Sequence, residues 1–138
     1  MHLLSNTIIM ETIQWTEKIS VNNEKIDNQH KKLIELTNDL ILHSNATPNS
    51  KIVNETLYEL LKYTKYHFHD EEELMENFNY PKLEEHKKAH KDFVYQIVMF
   101  CNDVSEGKAT VTNEILNFLT RWLIQHTSID DQDYKKYI

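Results

Sequence analysis

Four stretches of this chain carry apolar side chains at alternating intervals of three and four. That spacing lines one face of an α-helix. The chain has 138 residues but only 1 Gly and 2 Pro, so turn material is scarce and no sheet-rich pattern occurs. Long amphipathic stretches with few breaks constrain the fold to packed helices.

The first stretch spans residues 23–45 and turns Ile26, His30, Leu33, Thr37 and Leu40 to one face. The polar run SNATPNS, with Pro48, stops it. The second spans 50–78, with Val53, Leu57, Leu60, Thr64, His67, Glu71, Met75 and Phe78 inward. Pro81 ends it and suits the first turn of the third stretch, 81–106. There Leu83, His86, His90, Phe93, Ile97, Cys101 and Val104 share a face, and Gly107 is a natural C-terminal cap. Thr110 or Thr112 caps the fourth stretch, whose stripe is Ile115, Leu119, Trp122, His126 and Ile129. Four long helices with short connections predict an all-α, up-down-up-down antiparallel four-helix bundle over residues 23–138. Residues 1–22 read as an N-terminal arm with Trp15, Ile19 and Val21 as candidate anchors. The whole, residues 1–138, reads as a single domain without internal repeats.

A formal charge of -7 argues against nucleic acid as a partner. No apolar run approaches the roughly 20 residues that cross a bilayer. The opening MHLLSNTIIM lacks the basic and apolar regions of a signal peptide. Cys101 is the only cysteine, so no internal disulfide forms and a reducing compartment fits. A cytoplasmic location is the expectation.

The histidines carry the chemistry. His30, His67, His86, His90 and His126 each replace an apolar residue on an inward stripe, and Glu71 lies one turn beyond His67. Burying five imidazoles and a carboxylate is costly unless they share a partner. The spacings His67-x-x-x-Glu71 and His86-x-x-x-His90 place each pair about 5–6 Å apart at Cβ, within reach of one ion or two neighbouring ions. Any one of these histidines, taken alone, reads as an ordinary hydrogen-bonded core residue; five at compatible levels read as a metal site, and their number argues for two ions. Imidazole plus carboxylate without thiolate suits iron, zinc, copper or manganese. The zinc-protease pattern is absent, and the paired Glu-x-x-His of carboxylate-rich di-iron proteins is missing. His2, His43 and His69 lie off the stripes. In the run DEEE, only Glu71 points inward, leaving Asp70, Glu72 and Glu73 as a solvated face. A further acid is needed near His126. Asp130 stands at i+4 and Asp131 at i+5; a regular helix turns Asp130 to the seam, and periodicity alone does not choose between them.

The segments WTEKISVNNEKIDNQHKKL, HFHDEEELMENFNYPKLEEHKKAHKDF and WLIQHTSIDDQDY resemble the hemerythrin family, specifically its single-domain bacterial members. The resemblance implies a non-haem di-iron centre that binds oxygen reversibly, with a bridging oxo or hydroxo group. It implies His86, His90 and His126 as ligands of the coordinatively full iron, and His30 and His67 as ligands of the iron with an open position. Glu71 and Asp131 match the bridging carboxylates, so the resemblance prefers Asp131 over Asp130. Leu33, Phe68, Trp122 and Leu123 match the apolar lining of the oxygen pocket, although plain core packing explains them equally well. Tyr134 reads either as a neighbour of the second iron or as a surface residue, and Met75 as core filler. Thr127 departs from the family, which usually has an apolar residue after this histidine. Its hydroxyl either faces the pocket, and shortens the life of bound oxygen, or turns back to a helix carbonyl at Leu123 or Ile124.

The expectation is therefore a binding protein and not an enzyme: a monomer that takes molecular oxygen for storage, delivery or buffering. The alternatives are sensing or detoxification of oxygen or nitric oxide, iron handling with the same ligands, and, further off, a di-iron oxidase or peroxidase.

Overall fold

In the computed structural model, which describes residues 11–47, 50–108 and 110–138, the chain forms four long helices and, among the described residues, no strand. They are α1 (Glu24–Ala46), α2 (Lys51–Asn77), α3 (Leu83–Ser105) and α4 (Asn113–Gln125). A π-helical turn, His126–Asp130, then leads into the short α5 (Asp131–Lys135). Helix starts follow from capping chemistry. The side chains of Asn23, Ser50 and Thr112 accept hydrogen bonds from the backbone N–H groups of Ile26, Val53 and Ile115. Thr112, and not Thr110, is thus the cap of the fourth helix. Gly107 ends α3 in the left-handed region, at φ +72°, where a side chain is disfavoured. Asn79 does the same after α2, at φ 54°. Pro81 stands in the turn before α3 and not within its first turn; Lys82 takes the cap position.

The burial pattern fixes the topology. One apolar cluster, including Leu33, Leu40, Leu57, Leu60, Ile97 and Leu119, fills one end of the bundle. A smaller one of Val21, Ile26, Met75, Tyr80 and Tyr134 fills the other. The buried histidines lie between them. Along α1 and α3 the chain passes from the small-cluster end through the histidines to the large cluster; along α2 and α4 it runs the opposite way. Successive helices are antiparallel, as the short connections require.

Two inward assignments from periodicity are corrected. Phe78 is 48 % exposed because it lies beyond the last residue of α2, where helical direction is lost. Ile129 is 59 % exposed because the π turn inserts one residue into the helical register.

Residues 1–10 of the expected arm lie outside the described residues; its remainder, from residue 11, is fastened to α1 and α5. Ile13 exchanges two backbone hydrogen bonds with the Asn38 side chain, at 2.7 and 2.9 Å. Lys31 lies over the Trp15 ring at 4.3 Å. Asp27 accepts from the Ser20 hydroxyl and the Val21 N–H, and Gln132 donates to the carbonyls of Ile19 and Ser20. Ile13, Trp15 and Ile19 pack against the larger cluster, while Val21 belongs to the smaller. Among the described residues no helix is long and apolar enough to cross a membrane.

Candidate metal centre

Each long helix delivers its polar residues to the layer between the two clusters. His30 comes from α1, His67 and Glu71 from α2, His86 and His90 from α3, and His126 from the start of the π turn. A regular helix would next bring in Asp130. The wide turn makes i+5 the inward position instead: Asp131 is 0 % exposed, and Asp130, half-buried, accepts from Gln125. The same one-residue offset turns Ile129 outward and Tyr134 inward.

The seven groups converge closely. Glu71 divides its oxygens: Oε2 lies 3.4 Å from both His30 Nε2 and His67 Nε2, while Oε1 lies 3.0 Å from His90 Nε2 and 3.2 Å from His126 Nε2. Asp131 does likewise, with Oδ2 at 2.9 Å from His30 Nε2 and 2.8 Å from His126 Nε2, and Oδ1 at 3.0 Å from His86 Nε2. Two overlapping sets of potential ligands result: His30, His67, Glu71, His126 and Asp131, and Glu71, His86, His90 and His126.

These side chains fit a pair of transition-metal ions. His30 Nε2, Glu71 Oε1, His90 Nε2 and Asp131 Oδ2 are buried without a hydrogen bond, although each has an oppositely charged or polar neighbour within ion-pair range. Within each of the two sets the ligand atoms all lie within 4.8 Å of one another. Two donors each about 2.1 Å from one ion and at right angles to each other stand about 3 Å apart, and the observed carboxylate–imidazole separations run from 2.8 to 3.4 Å. The donor set of imidazole and carboxylate, without thiolate, suits iron, zinc, copper or manganese. Cys101 belongs to the far apolar cluster.

An outer ring of hydrogen bonds orients the ligands. His67 Nδ1 lies 2.8 Å from Gln29 Oε1, and Gln29 Nε2 donates to Asp70 at 2.7 Å. His90 Nδ1 lies 2.8 Å from Glu72. Tyr134, fully buried, donates its hydroxyl to Glu71 Oε2 at 2.9 Å. Such partners at Nδ1 turn Nε2 of His67 and His90 toward the centre. Sequence reading missed Gln29, Asp70 and Glu72, and of its two readings of Tyr134 the buried neighbour of the centre is the one observed. Asp70 and Glu72 are not a solvated face: they flank Glu71 by one residue on either side and reach the neighbouring helices. Gln29 beside His30 was legible only as a polar residue at the edge of a stripe. His43 and His69 stay out of the centre, His69 on the surface, while His2 lies outside the described residues.

Electrostatics follow from burial and the two carboxylates. Burial opposes the charge on His30 and His126, but Asp131 and Glu71 outweigh it and raise them to about 9 and about 10. At His67 burial wins over Glu71, and the ring falls to about 4. Glu71 and Asp131 are buried, yet His126 and the neighbouring imidazoles hold both below the ordinary carboxylate range. Burial, with Glu71 and Asp131, pushes the Tyr134 phenol well above its ordinary range, so it stays a donor.

One flank of the layer is aromatic and dry. Phe68 stacks on His90 at 3.8 Å, Trp122 on His126 at 4.6 Å, and Phe93 on Trp122 at 3.8 Å. Beyond lies a cavity of about 10 Å³, walled by residues including Leu33, Thr37, Thr64, Trp122 and Leu123. That is room for about one water-sized molecule. Of the five residues expected to line an oxygen pocket, Leu33, Trp122 and Leu123 wall this cavity; Phe68 and Thr127 are buried nearby but do not line it. The Thr127 hydroxyl donates to the Leu123 carbonyl at 2.9 Å, which is the second of the two orientations open to it.

Fold and site together define a four-helix-bundle protein with a buried, histidine-rich cation centre. The family model for the hemerythrin HHE cation binding domain matches residues 21–138, and the chain belongs to the hemerythrin family. It is 36% identical over 127 residues to a myohemerythrin of Theromyzon tessulatum, covering 92% of this chain and 94% of that one. It is 32% identical over 125 residues to a bacteriohemerythrin of Stenotrophomonas maltophilia, covering 91% and 80%. A solved wild-type hemerythrin superposes with a TM-score of 0.82 at 28% identity, covering 90% of this chain and 95% of the other.

Proposed function

We propose that this chain binds molecular oxygen reversibly at a non-haem di-iron centre and acts in oxygen storage, delivery or buffering, as a binding protein and not an enzyme. The observation that carries the reading is the division of Glu71: its two oxygens face two different groups of imidazoles, the arrangement that holds two ions side by side. In this reading Glu71 and Asp131 would be shared between the ions, His86, His90 and His126 would hold one of them, and His30 and His67 would hold the other. An iron pair so held would supply the electrons that oxygen binding requires.

The chain's own residues make the binding reversible. Gln29 and Glu72 fix the tautomers of His67 and His90, so the rings need not reorient when the site changes charge. Tyr134 holds Glu71 by one oxygen. Leu33, Phe68, Trp122 and Leu123 keep water from the oxygen side, which limits proton access to a reactive ligand. Thr127 turns its hydroxyl into the helix and does not line the small cavity on this side. Nitric oxide, a small diatomic ligand, fits the same dry space. A cytoplasmic monomer fits the single cysteine and the charge of -7.

The test is spectroscopic. Protein loaded with iron and reduced without oxygen should change colour when oxygen is added and return when it is removed. Irreversible oxidation on first exposure, with no return, overturns the reading.

A further inference from the structure

We propose that iron enters and leaves the centre through a polar cleft between the start of α3 and the π turn, and that the hydrogen bond from Tyr80 to Asp133 latches this cleft. The proposal rests on the di-iron reading and concerns how the ions reach their ligands. A ferrous ion with its hydration shell crosses an apolar wall only at a large desolvation cost. The flank of Phe68, Trp122 and Phe93 is such a wall, suited to a small neutral gas.

The opposite character is found beside His86. A cleft of about 400 Å³ runs there, with Glu85, His86 and Ala89 on the α3 side and His126, Ile129 and Asp130 on the π turn. Two of the seven candidate ligands therefore form part of its wall. His86 is 8 % exposed and the other six are between 0 and 2 %, so His86 is the ligand an arriving ion meets first. Glu85, Asp130 and Asp133 outnumber Lys82 along the cleft, and a cleft lined by one sign of charge concentrates ions of the other.

The cleft is tied across one end. Tyr80 follows α2, Asp133 belongs to α5, and the Tyr80 hydroxyl donates to Asp133 Oδ2 at 2.5 Å. Lys82 Nζ lies 3.8 Å from the same oxygen. These contacts hold the segment that carries Asp131 against the α2–α3 turn. Breaking them frees α5 to move and lets Asp131 withdraw from His86.

The test follows iron itself. Metal-free protein is mixed with ferrous ion without oxygen, and uptake is timed; loaded protein is mixed with excess bipyridine, and release is timed. Ala89→Trp, made at an exposed position of the cleft, should slow uptake and release several-fold while iron per chain stays the same. Tyr80→Phe should speed release roughly tenfold, the scale of losing a hydrogen bond to a charged group. Ile52→Trp, at the far end of the bundle, should leave both rates unchanged. If Ala89→Trp alone acts, the route stands and the latch is overturned. If neither variant changes either rate while two irons remain bound, the route itself is overturned and the di-iron reading is untouched. An unmodified chain that holds no iron pair defeats the reading beneath both.

Discussion

Glu71 is the residue on which the centre turns, because each of its oxygens serves a different set of imidazoles. Glu71→Ala should remove a contact from each ion and leave buried positive charge unbalanced, so most iron should be lost on gel filtration. His69→Ala, two residues away but on the surface, should keep its iron. Equal retention in the two variants would count against the assignment of the inward stripe. Thr127 gives a finer case. With its hydroxyl bonded to the Leu123 carbonyl, Thr127→Val should leave the rate of autoxidation within about twofold, since only a hydroxyl already turned from the dry side is lost. A large change in that rate would put the hydroxyl back in contact with the oxygen side. Protons on the same imidazoles set the pH response of metal-free protein. Between about 4 and 6.5 the unfolded chain binds a proton at His67 that the folded chain does not, so stability rises with pH. From 6.5 up to about 9 and about 10 the folded chain keeps protons on His30 and His126 that the unfolded chain releases, so stability falls as pH rises. Thermal melting of metal-free protein should thus peak near pH 6.5. Iron takes neutral imidazole and should flatten the alkaline limb; a metal-free melting temperature that stays level through that limb would refute the account.

At the scale of helices, the sequence is most legible where the period is regular. The stripes of α1 and α2 place His30, His67 and Glu71 correctly because nothing interrupts the repeat of three and four. The end of the last helix is different. No glycine or proline marks residues 126–130, so the widened turn leaves no composition signal, and a regular period points to Asp130 and Ile129. Only the family resemblance pointed to Asp131. One inserted residue accounts for three departures together: Ile129 outward, Asp131 inward, Tyr134 buried. The outer ring was hidden for another reason. Asp70 and Glu72 sit about 100° to either side of Glu71, where a single-helix reading sees solvent and a bundle provides neighbouring helices. A pair of substitutions separates the two registers. Asp131→Asn should strip iron or bleach the oxygen-dependent colour, whereas Asp130→Asn, which only weakens a contact with Gln125, should do neither. The reverse outcome would mean that the turn is a regular α-helix in solution.

For the molecule as a whole, the centre is a polar layer that separates two unequal apolar cores. The large cluster draws on all four long helices and includes Leu40, Leu57, Ile97 and Leu116, each 0 or 1 % exposed. The small one has Val21, Ile26, Met75, Tyr80 and Tyr134. A metal that binds the folded arrangement more tightly than the unfolded chain stabilises the fold by that difference. Its removal leaves five imidazoles and two carboxylates to balance one another by protons alone. The loss should not be uniform. The large cluster keeps its packing, while the small end depends on Asp131 and Glu71 to hold α5 against α2. Hydrogen exchange should show this division. In metal-free protein, amides of the π turn, of α5 and of the first turn of α1 should lose protection. Amides around Leu40, Leu57, Ile97 and Leu116 should exchange only through rarer opening. Iron should restore the small end by a larger factor than it changes the rest. Equal loss of protection at both ends would show that the bundle opens as one unit, and that the ligand layer does not divide the two cores.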